Sequence, residues 1–355
     1  MQISRIESVK MHRNYKRTAA IASLEYVTDG SPGIIRAKAG SGFTYSFNGV
    51  TVKDKEILNR IKRLVIPPAW TKVWICPSVN GHIQVTGYDI KNRKQYKYHP
   101  SWNTVRNQTK FHRLYEFGKV LPQMRMKMED DITHSMLSKE KVLATVVSLM
   151  ERTFIRIGNS EYERLYGSYG LTTLKDGHVD INGATLKFAF KGKKGVYHSV
   201  TLKNKRLAKI VQACKDIPGK ELFQYFDENG VRCSIDSGMI NNYIREATGK
   251  DFSAKDFRTW AGTLSILSSF KALGAAKTLV EKRKNIVSAL DEVSSKLGNT
   301  RTICKKYYVH PEIIRLYEES NLQRYLNELD AIEKPDDVSD LTQEEKVLMK
   351  ILKKL

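Results

Sequence analysis

Partway along this 355-residue chain the spacing of apolar residues changes, and that change limits the possible folds more than any other feature. Between about Ile34 and Tyr98 the apolar residues alternate: Phe43, Tyr45 and Phe47 lead to the pair Asn48-Gly49, and Val50 and Val52 resume the alternation. Successive strand side chains point to opposite faces, and Asn-Gly accepts the positive φ angles of a tight turn, so this is the pattern of a hairpin. A second hairpin runs from Val73 and Ile75 through Asn80-Gly81 to His82, Gln84 and Thr86. Between the two, Ile57, Leu58, Ile61 and Leu64 recur at helical spacing over Asp54 to Leu64, until Pro67-Pro68 stops them.

Beyond Trp102 to Arg113 the period becomes helical. Val142, Val146, Leu149, Met150, Phe154 and Ile157 fall on one face of a helix expected to carry Arg156 near its end. Alternation returns between Leu171 and Leu202, with Asp176-Gly177 and the tip Lys191–Gly195 as turns, so a small antiparallel sheet interrupts the helices. Asp236 and Ser253 are placed to cap two further helices, closed by Gly249 and Gly274. On the second of these, Phe257, Trp260, Ala261, Leu264 and Leu267 form a core face. Arg258, Gly262, Ser265 and Ser269 form a face of small and polar groups expected to approach a phosphate backbone. A helix from about Ala276 ends at Gly298, and a short one after Thr300 carries Tyr307 and Tyr308. Thr342 to Glu345 is a capping box ahead of Val347, Leu348, Ile351, Leu352 and Leu355, an amphipathic terminal helix expected to pack on its own domain. The expected class is α+β: a small strand-rich N-terminal domain over residues 1–105, then a larger, mainly helical domain with a small antiparallel sheet over residues 106–355.

Lys and Arg number 60 against 38 Asp and Glu, a formal charge of +22, far more than solubility requires. A polyanionic partner is the first expectation, although charge alone fits a non-enzymatic DNA-binding protein equally well. Cys76, Cys214, Cys233 and Cys304 are scattered with no CxxC pair, which argues against a structural zinc site and a disulfide framework and fits a reducing interior compartment. The first thirty residues begin basic but hold no apolar run of secretory type, and no segment approaches the roughly 20 apolar residues of a membrane span. P-loop, GxGxxG, HExxH and EF-hand patterns are absent, so nothing in the sequence calls for a nucleotide, a metal or another cofactor.

Breaking a phosphodiester without a metal requires a nucleophile, positive charge at the developing oxygens and a proton for the leaving hydroxyl. Four stretches of the second half resemble, in order, the active-site motifs of type IB DNA topoisomerases: Phe154-Ile155-Arg156-Ile157-Gly158, the tip KGKKG, the run KDFRTWAGT from Lys255 and the run LGNTRTICKKYYVHP from Leu297. The spacings also match the family, with 37 residues from Arg156 to Lys193 and 9 from Asn299 to Tyr308. In the first half, IPPAW from Ile66, NGHIQVTGYD from Asn80 and RKQYKYHP from Arg93 resemble the DNA-clasping domain of the bacterial branch.

The resemblance implies the tyrosine recombinase and topoisomerase IB catalytic fold, and relaxation of supercoiled duplex DNA through a DNA-(3′-phosphotyrosyl) intermediate without ATP or metal. It implies that Tyr308 attacks the scissile phosphate, that Arg156 and Arg258 hold its oxygens and that Lys193 protonates the leaving 5′ oxygen. Guanidinium forks suit the second task because they bind two oxygens at once and stay charged. Asn299 stands where poxvirus members carry histidine; its amide still donates to a phosphate oxygen but cannot act as acid or base. Lys255 matches a supporting basic residue. Gln95, Tyr96 and Tyr98 match a DNA-contacting strand, on which Tyr96 and Tyr98 share one face and Gln95 takes the other, and Arg93, Lys94 and Lys97 are expected to add phosphate contacts that position the protein without specifying sequence. A monomeric C-shaped clamp on duplex DNA is implied, in an intracellular, DNA-associated setting.

Plainer roles stand beside these. Asn299 can cap a helix end, and His310 can order the turn before Pro311. Ile303 and Tyr307 share a helix face, so Tyr307 is the expected packed tyrosine and Tyr308 the one turned away. His178 and His198, in strands, receive no role. The rival enzymatic reading is a tyrosine recombinase or integrase, whose second motif has histidine where Lys255 stands.

Overall fold

The computed structural model describes residues 14–90, 92–328 and 340–355; the first 13 residues, part of the basic opening read above as free of a secretory signal, lie outside them. The described residues form two compact units that meet in sequence at Arg113 and Leu114.

In the first unit, α1 (Tyr15–Ile21) precedes strands β1 (Ile34–Ala39), β2 (Gly42–Phe47) and β3 (Val50–Thr51), helix α2 (Lys55–Arg63), and strands β4 (Thr71–Ile75), β5 (Ile83–Tyr88) and β6 (Lys94–Tyr98). The strands make one antiparallel sheet in the order β3-β2-β1-β4-β5-β6. Asn48-Gly49 turns β2 into β3 with φ angles of 48° and 82°, a pair that Asn and Gly tolerate best. The Asp54 carboxylate starts α2 by accepting from the Glu56 and Ile57 N–H groups, and Ile61 of that helix packs with Ile34, Val73, Ile75 and Val85. Two arginines are spent on holding loops: Arg36 donates to the Pro67 and Trp70 carbonyls, and Arg60 to those of Cys76 and Ser78.

Helix α3 (Pro100–Thr133) runs through the division between the units. It includes Trp102 to Arg113, so helical structure begins earlier than the sequence pattern indicates. The second unit continues with α4 (Lys139–Thr153), α5 (Ser160–Tyr166), strands β7 (Val179–Asn182), β8 (Thr185–Lys191) and β9 (Tyr197–Lys203), α6 (Lys205–Lys215), the short pair β10 (Gln224–Phe226) and β11 (Arg232–Ser234), α7 (Ser237–Thr248), α8 (Ala254–Leu273), α9 (Leu279–Leu297), α10 (Arg301–Tyr307), α11 (Pro311–Glu318), α12 (Gln323–Glu328) and α13 (Gln343–Lys353).

Helix α4 is the unit's centre: Val142 through Met150 are buried without a break, packed by α7, α8 and the sheet β7-β8-β9. The alternating apolar residues Leu186, Phe188 and Phe190 turn one face of β8 into the same core. The terminal helix α13 docks on α8 through Val347, Leu348, Ile351 and Leu352, as its amphipathic pattern predicts. The fold is α+β, a strand-rich unit followed by a mainly helical one. Among the described residues, no helix is long and apolar enough to cross a membrane.

Candidate active site

Four of the five residues expected to act on DNA meet in the second unit. Arg156 is not on a helix, contrary to expectation. Helix α4 ends when Phe154 adopts a left-handed conformation at φ 58°, and the chain then runs against Leu171, whose N–H donates to the Arg156 carbonyl at 2.8 Å. This frees the guanidinium to reach the loop between α9 and α10, where Nη2 donates to Asn299 Oδ1 at 2.7 Å and to the Gly298 carbonyl at 3.2 Å.

Arg258 sits at the start of the second turn of α8 and is only 6% exposed. Its Nη1 donates to the Phe154 carbonyl and its Nη2 to the Leu297 carbonyl at 2.7 Å, so one fork ties the end of α4 to the end of α9. The buried Nε has no hydrogen-bond partner. The guanidinium carbon lies 5.1 Å from the centre of the Tyr308 ring. Burial pulls this group below the ordinary arginine range, against an opposing pull from Tyr308 and Cys304. Arg156 is drawn down to about 10 by burial and then by the neighbouring Arg258, still far enough above neutrality to remain charged.

No carboxylate pairs with either guanidinium among the described residues. Burying an unpaired cation is costly, and carbonyl oxygens supply only part of the compensation that a carboxylate gives. Such an arrangement keeps its positive charge for an incoming anion.

Tyr308 follows α10, its N–H donating to the Cys304 carbonyl at 2.9 Å. The turn is pressed onto α8. A methyl group at Gly262 would come within 2.6 Å of the Tyr308 carbonyl oxygen, so only glycine permits this approach. Thr263 Oγ1, one residue on, lies 3.2 Å from that carbonyl and accepts from the His310 N–H at 3.1 Å. Beyond Arg258, the small and polar face of α8 is therefore taken up by packing, Gly262 under the Tyr308 turn and Ser269 bonded to Glu292; these residues position the tyrosine and are not open to a phosphate backbone. Both tyrosines are half-buried, but Tyr308 is the one packed against the core, the reverse of the expectation from helical spacing. His310 accepts from the Glu312 N–H and caps α11.

Asn299 is flanked by the actual capping residues, Gly298 closing α9 and Thr300 opening α10. Its Nδ2 donates to the Leu297 carbonyl at 3.3 Å while Oδ1 receives Arg156. Lys193 is exposed on the turn between β8 and β9, closed by the Gly192 N–H to Val196 carbonyl bond at 2.7 Å. Its Nζ lies 5.8 Å from the centre of the Tyr162 ring. Lys255 is exposed at the start of α8, three residues before Arg258.

A family model described as the catalytic core of eukaryotic DNA topoisomerase I matches residues 97–334, and one for the N-terminal domain of bacterial DNA topoisomerase IB matches residues 42–89. DNA topoisomerase 1B of Acanthamoeba polyphaga mimivirus is 32% identical over 299 residues, which are 81% of this chain and 88% of the viral protein. DNA topoisomerase 1B of Vaccinia virus (strain Copenhagen) is 26% identical over 242 residues, 66% of this chain and 72% of that one. The chain belongs to the type IB DNA topoisomerases.

As a member of that family the topoisomerase is a DNA-binding isomerase with a tyrosine-based mechanism, and neither a recombinase nor a non-enzymatic coat protein is favoured. In its first unit, β6 divides its side chains as expected. Tyr96 and Tyr98, 44% and 39% exposed, stack at 5.9 Å on one face, while Gln95 lies on the other with its Nε2 on Asp89 at 2.9 Å. Arg93 and Lys94 are engaged by carboxylates, Arg93 by Asp89 and Lys94 by Asp29 at 2.6 Å, so neither is a bare phosphate ligand; Lys97 is half-buried. Away from the arginines, Asp130, Asp131 and His134 form a group compact enough to hold a metal ion, but Asp131 already accepts from Tyr243 Oη at 2.6 Å and from Lys127. Gly262, expected from the sequence to face a phosphate backbone, instead seats the Tyr308 turn, and Thr263, which the sequence pattern did not single out, holds it; its signal was a hydroxyl about one turn after Arg258.

Proposed function

We propose that Tyr308 is the nucleophile with which this topoisomerase cuts one strand of duplex DNA. The Tyr308 oxygen bonds to the scissile phosphorus, the bond from phosphorus to the 5′ oxygen breaks, and Lys193 gives that oxygen its proton as the phenol proton is released. Religation reverses each transfer. Because the phosphotyrosyl ester retains the energy of the broken bond, relaxation draws on torsional strain in the DNA and requires neither ATP nor a metal.

Arg156 and Arg258 neutralise the phosphate oxygens as charge builds, and Asn299 sets the direction of the Arg156 fork. A free phenol is a weak nucleophile near neutrality, so cations fixed in advance at the phosphate are what raise the rate. Lys255 adds charge at the rim. In the first unit the Tyr96 and Tyr98 face meets the duplex, with Gln95 and Lys97 behind it and Arg93 and Lys94 beside it. One copy suffices as the clamp, in a DNA-associated compartment inside the cell or the infected cell.

The supporting observation is the buried Arg258 guanidinium over the Tyr308 ring, its two terminal nitrogens on backbone carbonyls and not on a carboxylate, with Arg156 held next to it by Asn299. The test is plasmid relaxation in EDTA without ATP, alongside trapping on a suicide duplex and mapping of the linked peptide. Relaxation should proceed, the adduct should map to Tyr308, and Tyr308→Phe should bind DNA without forming it. An adduct on Tyr307, or equal relaxation by Tyr308→Phe, would overturn the assignment.

A further inference from the structure

His198 lies opposite Phe190 in the β8–β9 ladder and stacks on it, with ring centres 5.2 Å apart and planes inclined by 13°. Phe190 is core, so one face of the imidazole is fixed. Its edges are fixed too. A methyl group at Gly192 would meet His198 Cδ2 at 2.5 Å and Nε2 at 2.7 Å, and one at Gly298 would meet Cε1 at 2.3 Å and Nε2 at 2.9 Å. Gly192 immediately precedes Lys193, and Gly298 immediately precedes Asn299. The ring thus fills the space between the lysine turn and the loop that receives Arg156.

We propose that His198 is a positioning residue for strand cleavage, a spacer that sets where the Lys193 turn stands relative to Asn299 and Arg156. The proposal rests on the reading of Lys193 as the proton donor to the 5′ oxygen. Burial, Arg156 and then Arg258 all hold the imidazole below the ordinary histidine value, so near neutral pH it is an uncharged wedge and adds no third cation beside the guanidiniums. A rigid aromatic spacer suits this place because proton donation is sensitive to distance: misplacing a reacting group by about 1 Å can cost on the order of 100-fold in rate.

The test is single-turnover cleavage by the full-length protein on two suicide duplexes, one with the natural 5′ bridging oxygen and one with sulfur there. A thiolate leaves without protonation, because a thiol is a much stronger acid than an alcohol, so a defect in proton donation disappears on the sulfur substrate. His198→Ala should cleave the oxygen substrate roughly 10- to 100-fold more slowly, bind DNA as the parent does, and recover most of the loss on sulfur. Lys193→Ala is the control. If it recovers on sulfur but His198→Ala is equally slow on both substrates, the spacer role is overturned while the lysine assignment stands. If Lys193→Ala does not recover, the lysine assignment fails first and the spacer proposal with it.

Gly192→Ala supplies a second route should His198→Ala fold poorly. Gly192 has φ −91°, which alanine adopts freely, and the nearest obstacle is the imidazole. Gly192→Ala should slow cleavage of the oxygen substrate, and adding His198→Ser should restore part of the rate. Strictly multiplicative losses in the double variant would overturn the proposal.

Discussion

The guanidinium of Arg258 stacks over the Tyr308 ring at 5.1 Å while its two terminal nitrogens grip the carbonyls of Phe154 and Leu297. One side chain therefore fixes the ends of two helices and faces the proposed nucleophile. Lysine keeps the charge but has neither a planar fork for two divergent carbonyls nor a face to stack. Arg258→Lys should lower single-turnover cleavage by about 10²–10³, the usual cost of one preorganised donor at a developing oxyanion. DNA affinity should change far less. A lysine variant within a few-fold of the parent would mean that charge alone suffices there.

Asn299 accepts from Arg156 through Oδ1 at 2.7 Å, a bond that leaves the guanidinium's charge available. Asn299→Asp keeps shape and acceptor but makes the contact an ion pair, so Arg156 would be directed correctly yet neutralised. The aspartate variant should cleave more slowly than Asn299→Ala, in which Arg156 is merely less well held. The comparison needs only cleavage rates at low and high salt. Alanine proving worse than aspartate would show that direction matters more than charge.

Much of this fold is legible because its signals are local. Asn48-Gly49 and the Asp54, Asp236 and Thr342 caps are decided by residues within a few positions, and the structure places turns and helix starts there. Ser253 also opens a helix, although there Asp256 reaches back to the Ser253 N–H. What escaped depends on partners distant in sequence. Arg156 leaves its helix because its carbonyl pairs with Leu171, and no 3.6-residue period carries that information. The α8 face of Arg258, Gly262 and Ser269 is buried because the Tyr308 turn and α9 lie on it; small polar residues read the same whether they meet a phosphate or a carbonyl. The ordered motifs named the residues proposed for the site, and packing supplied the reason for the glycine at 262.

The terminal helix is tied to the active-site helix by one buried cluster. Arg125 donates to Glu151 at 2.6 Å and to both oxygens of Glu345 at 2.8 and 2.9 Å, and the Trp260 indole, two residues beyond Arg258, donates to Glu345 at 3.0 Å. Burial works against charging Glu345, yet Arg125 outweighs it and holds the carboxyl below the ordinary glutamate value. Arg125→Met would strand two carboxylates, one of them 3% exposed, and should cost about 3–5 kcal/mol in urea denaturation. Adding Glu345→Gln should return part of that, since a glutamine oxygen can still take the Trp260 bond without a charge. An Arg125→Met protein with an unchanged urea midpoint would show that the cluster is incidental to stability.

Acid should weaken the protein well before its carboxylates titrate. His82, His178 and His198 are all held below the ordinary histidine value, chiefly by burial, and two of them use a neutral ring nitrogen as an acceptor: His82 Nδ1 takes the Val27 N–H at 3.1 Å and His178 Nδ1 the Lys175 N–H at 3.0 Å. In the unfolded chain these rings regain a pKa near ~6.5. Below that pH the unfolded state binds more protons than the folded one, so the histidine contribution is complete above about pH 6.5 and is lost as the pH falls toward the depressed folded values. Glu345 and Glu116, held below their ordinary value, keep their contribution until the pH drops under about 4.5, so the two effects occupy separate windows. Tm should fall between about pH 7 and 5, and His178→Gln should flatten that fall, because its amide oxygen can accept from Lys175 without taking up a proton. A Tm that rises on acidification, or a slope indifferent to His178→Gln, would mean that these rings are already protonated in the folded protein.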